Sequence, residues 1–329
     1  MKAFVYTKYG PPDVLQFKEI EKPAPRENEA LVKIHAVSVN AADWHLLSAD
    51  IFLVRLMGTG LFKPSRPVLG GDIAGTVEAV GSGVTQFKPG DEVYGDILTT
   101  GSGGFAEYAT APEKTLAPKP ANLSFEEAAA VPIAGLTALQ GLRDVGHLQA
   151  GQKVLVNGAS GGVGTFAVQI AKAFGAEVTA VCSTRNLEMA RSLGADHVID
   201  YTKEDFTKNG QRYDLIYAAN GYHPISAYKK SLTPTGVYVM AGGKPAQMFQ
   251  AMLLGPLMSE KTGRQLGGVS AKMDQGDLIT LTGMLEAGKV VPYIDRRYPF
   301  SQTPEALRYL GEGHARGKVV ITVDEQNLS

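Results

Sequence analysis

From Met1 to about Leu123 the chain reads as short runs in which apolar and polar positions alternate, cut by Gly, Pro and Asp. Ala30-Leu-Val-Lys-Ile-His-Ala-Val-Ser-Val39, Gly75-Thr-Val-Glu-Ala-Val80 and Phe105-Ala-Glu-Tyr-Ala-Thr110 place alternate side chains on one face, which predicts half-buried strands. Gly81-Ser-Gly83 and Lys88-Pro-Gly-Asp91 supply turn chemistry between such runs. The expectation for this part is an antiparallel, barrel-like β domain.

At Ser124 the period changes. Ser124-Phe-Glu-Glu127 is a capping box, in which the Ser oxygen serves first-turn N–H groups and Glu127 reaches back. Beyond it, strand-like runs at Val154–Val156, Val178–Val181, His197–Ile199, Leu215–Tyr217, Val237–Met240 and Leu266–Val269 alternate with helical patterns. Six strands with intervening helices predict a doubly wound parallel sheet. A helical pattern resumes at Asp277–Ala287. The tail holds a helix over Pro304–Leu310, with Thr303 as cap, and a last strand, Lys318-Val-Val-Ile-Thr-Val323. One helix and one strand cannot make a core, so the tail is expected to return to the first domain. The predicted division is 1–123 completed by 290–329, and 124–289.

The first glycine cluster sharpens this picture. Lys153-Val-Leu-Val-Asn-Gly-Ala-Ser-Gly-Gly-Val-Gly164 is an apolar run ending in a glycine-rich turn. A helical pattern (Phe166, Ile170, Ala171, Phe174) and a second apolar run, Gly175 to Ser183, follow. A strand–turn–helix–strand unit of this kind holds a dinucleotide pyrophosphate, because the turn admits close backbone approach and the helix N-terminus presents N–H groups. The match to G-x-G-x-x-G has Ala159 in its first slot, and its strength comes from context rather than from the pattern. Where an NAD site carries Asp or Glu, this chain has Ser183-Thr184-Arg185, which predicts NADPH.

Bulk properties restrict the function classes. The chain has 329 residues, enough for two cores, with 44% hydrophobic and 20% charged residues and a net charge of −1. No basic block suggests a nucleic-acid partner, and no apolar run approaches the roughly 20 residues that span a bilayer. The start, Met1-Lys-Ala-Phe-Val-Tyr6, enters a strand pattern rather than a signal peptide, so a cytoplasmic location is expected. The single cysteine, Cys182, excludes disulfides within the chain and Cys-rich zinc sites. The six histidines show no ligand spacing, and no metal is expected.

Several motifs together resemble the medium-chain dehydrogenase/reductase superfamily, nearly end to end. They are Ser38-Val-Asn-Ala-Ala-Asp43, Pro67-Val-Leu-Gly-Gly-Asp-Ile-Ala-Gly75, Pro89-Gly-Asp91, Gly104-Phe-Ala-Glu-Tyr108, Ala134-Gly-Leu-Thr-Ala138, the glycine turn, and Ser192-Leu-Gly-Ala-Asp196. Within the superfamily the chain looks most like the zinc-independent quinone oxidoreductase branch, which includes enone and alkenal reductases. The resemblance implies an α/β fold, with a Rossmann doubly wound parallel sheet plus an N-terminal GroES-like β domain. Positions that hold the catalytic zinc in relatives carry Asn40, Gly71 and about Ile133 here, which do not form a zinc site.

The resemblance also implies site residues. Asn40 lies by the nicotinamide and the acceptor, with Asp43, Trp44 and His45 bordering it. No Tyr follows the motif until Tyr94, so the proton comes from water or from His45. Asp43 and His45 read at least as well as a buried ion pair or a turn contact as in a catalytic role. Cofactor roles fall to Thr137, to Ser160, Gly161, Gly162 and Val163 of the turn, and to Ser183, Arg185 and Tyr201 at the 2′-phosphate. Asn220 and Gly242-Gly243 end the fourth and fifth strands at the carboxyl edge. Lys318 reads either as a cofactor contact or as a solvated strand-end charge. Two apolar segments, Asp50–Phe62 and Met-rich Gln247–Met258, read as walls of a pocket for a small hydrophobic electrophile, as core or dimer-contact helices, or as membrane-surface segments. A homodimer is the default assembly. The reading is NADPH-dependent hydride transfer to quinones or α,β-unsaturated carbonyls; an enoyl-thioester reductase and a non-enzymatic NADPH-binding redox sensor are the alternatives.

Overall fold

The longest alternating run becomes an eleven-residue strand, Glu29–Val39, and the first structural unit is organised around it. The computed structural model describes residues 1–50, 60, 63–101, 103–221, 223–243, 245–259 and 263–323. Two compact units emerge: Met1–Ile133 with Met273–Glu286 and Pro292–Ser329, and Ala134–Lys272 with Ala287–Val291.

In the first unit, β1 (Lys2–Val5) and β2 (Gln16–Glu19) form an antiparallel pair. β3 (Glu29–Val39) leads into helix α1 (Ala41–Ser48). β4 (Asp72–Val80), β5 (Glu92–Asp96), β6 (Tyr108–Pro112) and β7 (Leu116–Pro118) follow. β3 pairs antiparallel with both β4 and β6, and β4 with β5, which continues to β7. The run at Phe105–Thr110 pairs three residues later than its alternation predicts. Phe105 and Ala106 instead meet the first strand, through the N–H of Phe4 on the Phe105 carbonyl and an Ala3–Ala106 bridge.

Helix α2 (Phe125–Ala129) makes both halves of the expected capping box: Glu127 N–H donates to Ser124 Oγ at 3.2 Å, and Ser124 N–H to Glu127 Oε2 at 2.9 Å. It does not open the second domain. Ala128 and Ala129 are buried, and α2 packs on β3 and β4, so the first unit runs to Ile133 rather than to 123.

The second unit holds α3 from Ala134 onward (the helix spans Pro132–Gln140), then β8 (Lys153–Asn157), α4 (Gly162–Ala173), β9 (Glu177–Cys182), α5 (Leu187–Ser192) and β10 (His197–Asp200). β11 (Tyr213–Ala218), α6 (Ile225–Ser231), β12 (Leu232–Met240), α7 (Pro245–Met258) and β13 (Gln265–Gly268) complete it. All pairs are parallel, in the order β10-β9-β8-β11-β12-β13. The chain starts in the middle, winds outward to one edge, and returns to wind to the other. That reversal places a ligand crevice at the carboxyl ends of β8 and β11.

The remainder returns to the first unit. α8 (Gln275–Glu286), predicted in the Rossmann part, buries Leu278, Leu281 and Leu285, and the Tyr94 hydroxyl donates to the Leu278 carbonyl at 3.0 Å. β14 (Ile294–Pro299), α9 (Thr303–Gly311) and β15 (Lys318–Thr322) follow. β15 lies antiparallel to β3, pairing Val319 with Val39. Thr303 is the first residue of α9 rather than its cap; its hydroxyl donates to the Phe300 carbonyl at 2.7 Å.

Candidate active site

At the carboxyl end of β8 the chain turns sharply through Gly158, at φ +81°, with the N–H groups of Gly158 and Ala159 on the Val181 carbonyl. α4 begins at Gly162, and no side chain caps it. Gly164 faces Gly158: a Cβ there would lie 2.1 Å from the Gly158 carbonyl oxygen, so the helix reaches the turn only with glycine. Gly161 is different. A Cβ at Gly161 would meet nothing nearer than 3.7 Å. The turn over Ser160–Val163 is therefore an open backbone cradle at a helix N-terminus, which fits a pyrophosphate.

The neighbouring strand ends complete this edge. Cys182 is registered against Asp200, and Tyr201 N–H donates to the Cys182 carbonyl at 3.1 Å. This gathers Ser183, exposed Arg185 and exposed Tyr201 at one place. Thr184, between Ser183 and Arg185, gives its hydroxyl hydrogen to Asp200. Hydrogen bonds from Thr184 and Thr202 hold the Asp200 carboxyl down to about 2. Exposed Asn220 accepts from Gly221 N–H through its own side chain at 2.7 Å, and Gly242-Gly243 follow β12. Beside Gly243 the buried Gln247 Oε1 has no partner among the described residues, while its Nε2 donates to the Tyr238 hydroxyl at 3.0 Å. Thr137 is buried in α3, its carbonyl accepting from Tyr217 at 2.9 Å.

In the first unit a second polar cluster forms where β3, β4 and β15 end or begin. The register sets Ser38 opposite Asp72. Asp72 is fully buried, and its Oδ2 accepts from Ser38 Oγ (2.9 Å), Asn40 Nδ2 (2.9 Å) and Lys318 Nζ (3.1 Å). Its Oδ1 accepts from Ile133 N–H at 2.8 Å. Lys318, 3% exposed, also donates to Asn40 Oδ1 at 2.6 Å. A strand-end lysine is thus sealed inside the unit as the ion-pair partner of Asp72, and the solvated reading is corrected.

Asp43 is equally buried. It accepts from Asn40 N–H at 2.9 Å and from Gly70 N–H at 3.1 Å. It makes no ion pair with His45, which projects elsewhere and pairs with Asp50 at 2.8 Å near the surface. The positions expected to lack zinc ligands come together around Asp72: Asn40 and Ile133 bond its two oxygens, and a Cβ at Gly71 would lie 3.0 Å from Ile133 Cδ1. A side chain at 71 would crowd Leu98, Ile133 and the Asp96 carboxyl, which would have to shift to admit it. Asp50 marks the limit of description on that side; the segment 51–59 and residues 61–62, read above as a pocket wall, lie outside the described residues. On α7, Leu253, Leu254 and Leu257 are exposed.

Burial pushes the Asp43 carboxyl up to about 7, helped by the charge of Asp72, and does the same to Asp96 on the next strand. An acid whose folded pKa exceeds its unfolded value holds its proton longer in the folded state. Stability is therefore lost as pH rises from about 4 to about 7, by up to about 1.4 kcal/mol per pH unit for each group. His223, held low by burial, opposes this over part of the window. The difference between wild type and Asp96→Asn isolates the acid. The variant should gain relative stability as denaturation is moved from about pH 5 to about pH 8. A constant difference across that range would show that Asp96 ionises normally.

Comparison with known proteins agrees with this architecture. The alcohol dehydrogenase GroES-like domain family matches residues 26–121, and the family described as zinc-binding dehydrogenase matches residues 193–321. A chloroplast envelope quinone oxidoreductase homolog of Arabidopsis thaliana is 36% identical over 98% of each chain. The 2-methylene-furan-3-one reductase of Solanum lycopersicum is 39% identical, over 98% of this chain and 79% of its own length. The chain belongs to the medium-chain dehydrogenase/reductase superfamily. Among solved members of the superfamily, the quinone oxidoreductase from Coxiella burnetii superposes with a TM-score of 0.86 at 31% identity, covering 98% of this chain and 99% of that one. The similarity places the chain with the quinone oxidoreductases and enone or alkenal reductases of the superfamily. No described helix is long and apolar enough to cross a membrane.

Proposed function

We propose that the protein is a zinc-independent, NADPH-dependent reductase that transfers hydride to quinones or α,β-unsaturated carbonyls. The observation that carries the reading is the Asp72 cluster. Asn40, Gly71 and Ile133 meet there around a buried carboxylate–ammonium pair, and the last two carry no group that can ligate a metal. Removing a proton from an alcohol needs a Lewis acid or a strong base. Adding hydride to a conjugated carbonyl needs only alignment and a place for negative charge on oxygen. The relatives named above as quinone oxidoreductase and 2-methylene-furan-3-one reductase support the same choice.

The cradle fits the cofactor. Ser160–Val163 would receive the pyrophosphate, and Gln247 Oε1 beside Gly243, without a partner among the described residues, offers an acceptor at the same edge. Ser183, Arg185 and Tyr201 would take the 2′-phosphate, and Thr137, Asn220 and Gly242 the remaining cofactor contacts. When bound, the reduced nicotinamide supplies the hydride. Asn40 then faces the acceptor, and water delivers the proton, because His45 is engaged with Asp50. A cytoplasmic homodimer completes the proposal, supported by the general preference for symmetric assemblies.

The first test is loss of reduced-nicotinamide absorbance with 1,2-naphthoquinone and a medium-chain enone offered in parallel. Turnover of either, faster with NADPH than NADH, is expected. Arg185→Ala should weaken NADPH by about tenfold or more while leaving NADH nearly unchanged. Asp200 limits how large the natural preference is, since its charge lies beside the phosphate position. Equal losses for both cofactors in Arg185→Ala would remove the 2′-phosphate assignment.

A further inference from the structure

The negative charge that hydride addition creates has an unfavourable neighbourhood in this protein. Three carboxyl groups, Asp43, Asp72 and Asp96, crowd the start of β4 and the end of β3 and β5, and Lys318 is the cation bonded among them. An oxyanion forming beside Asn40 would be repelled by the Asp72 carboxylate unless the positive charge were directed at it.

The hydrogen bonds show how that direction is achieved. Lys318 Nζ donates to Asn40 Oδ1 at 2.6 Å, and Asn40 Nδ2 donates to Asp72 Oδ2 at 2.9 Å. The reverse amide orientation would set two donors together at Lys318 and two acceptors together at Asp72, so one orientation is enforced. The second Nδ2 hydrogen is held only loosely, at 3.4 Å from the Ser38 carbonyl. A cation on the amide oxygen draws electrons from nitrogen and makes the remaining N–H a stronger donor, an effect enlarged by burial.

We propose that Lys318 is a positioning residue for the reduction. Its ammonium holds and polarises the Asn40 amide, so that the Nδ2 hydrogen not given to Asp72 stabilises the oxyanion forming on the acceptor. This rests on the reading of Asn40 as the residue facing the acceptor. In the step concerned, the hydride and its electron pair make a C–H bond at the β-carbon. The C=C pair shifts to place charge on the carbonyl oxygen, and a water proton then completes the α-carbon.

The test uses Lys318→Gln, which keeps an N–H donor and loses the charge, and Lys318→Arg, which keeps the charge. One readout needs no turnover. Trp44, the single tryptophan, lies one turn along the helix that Asn40 precedes and packs beside Gly311, and quenching of its fluorescence is the binding readout used. Wild type should bind 4-nitrophenolate, an oxyanion, about tenfold or more tighter than neutral nitrobenzene. Lys318→Gln should lose most of that preference, and Lys318→Arg should retain it. The second readout is the dependence on acceptor. An alkyl enone yields a poorly delocalised enolate and a quinone a well delocalised phenolate. The kcat of Lys318→Gln should therefore fall about tenfold further with the enone, with KM little changed.

An unchanged phenolate preference in Lys318→Gln, or equal kcat losses for the two acceptors, would overturn the proposal. If Lys318→Gln does not fold, wild type decides alone: nitrobenzene binding as tightly as 4-nitrophenolate overturns it, and a clear phenolate preference supports it. A wild type that reduces neither acceptor would defeat the reductase reading instead, and the binding arm would still decide the role of Lys318.

Discussion

Asp72→Ala is expected to destabilise the protein by about 3–5 kcal/mol, because it leaves the Lys318 ammonium buried without an anion. The carboxylate accepts four hydrogen bonds, from Ser38, Asn40, Ile133 and Lys318, and the residue is wholly inaccessible. For a unit of this size the loss corresponds to a drop in Tm on the order of 10 °C. Exposed pairs such as Arg191–Glu188 or Lys22–Glu78 should cost less than about 1 kcal/mol when broken, since water replaces the lost partner. The cause of the large effect can be separated from simple loss of packing. Asp72→Ala combined with Lys318→Met removes both charges, so the double variant should recover at least half of the loss. A double variant no more stable than Asp72→Ala would place the stabilisation in the Ser38 and Ile133 bonds and not in the ion pair.

The same cluster shows what the chain's pattern discloses and what it hides. The period-two runs and the strand–glycine–helix unit are local, and each appears as an element within a few residues of its expected place. The residues proposed for the cofactor are local too: the glycine turn follows β8, and Ser183 and Arg185 follow β9 of the same sheet. Asp72, Asn40, Ile133 and Lys318 are scattered over almost the whole sequence and meet only through the pairing of β3 with β4 and β15. Alternation fixes which face a side chain takes but not which strand lies beside it. Lys318 therefore read equally well as a surface charge. A signal was present in the lone cation at the head of an otherwise apolar strand, and in Asp72 directly behind two glycines. The domain boundary failed differently. The capping box at Ser124 marks a real helix start, but a cap carries no information about which core the helix will cover.

Gly164→Val is expected to cost about 3 kcal/mol or more and to abolish dinucleotide binding. Its Cβ would lie 2.1 Å from the Gly158 carbonyl oxygen and 2.8 Å from the Ala159 Cα. These are backbone atoms, so no rotamer relieves the clash, and α4 must lift off the turn with buried Phe166, Val168 and Ile170. That result alone would not show a ligand site, since a misplaced helix harms the sheet as well. Gly161→Ala supplies the missing half. Gly161 has φ −85° and ψ 175°, ordinary for any residue, and its Cβ would make only an ordinary contact, 3.7 Å from the Gly158 carbonyl oxygen. Stability should fall by no more than about 1 kcal/mol, the cost of alanine at a helix cap. The added methyl would stand where the pyrophosphate approaches the backbone, and NADPH affinity should fall about tenfold or more. Calorimetric binding beside thermal melting reads both at once. If Gly161→Ala melts and binds NADPH like wild type, the space over the turn is not the cofactor's and the nucleotide assignment fails. If it melts like wild type and loses NADPH, the openness of this turn is there for the ligand and not for the fold.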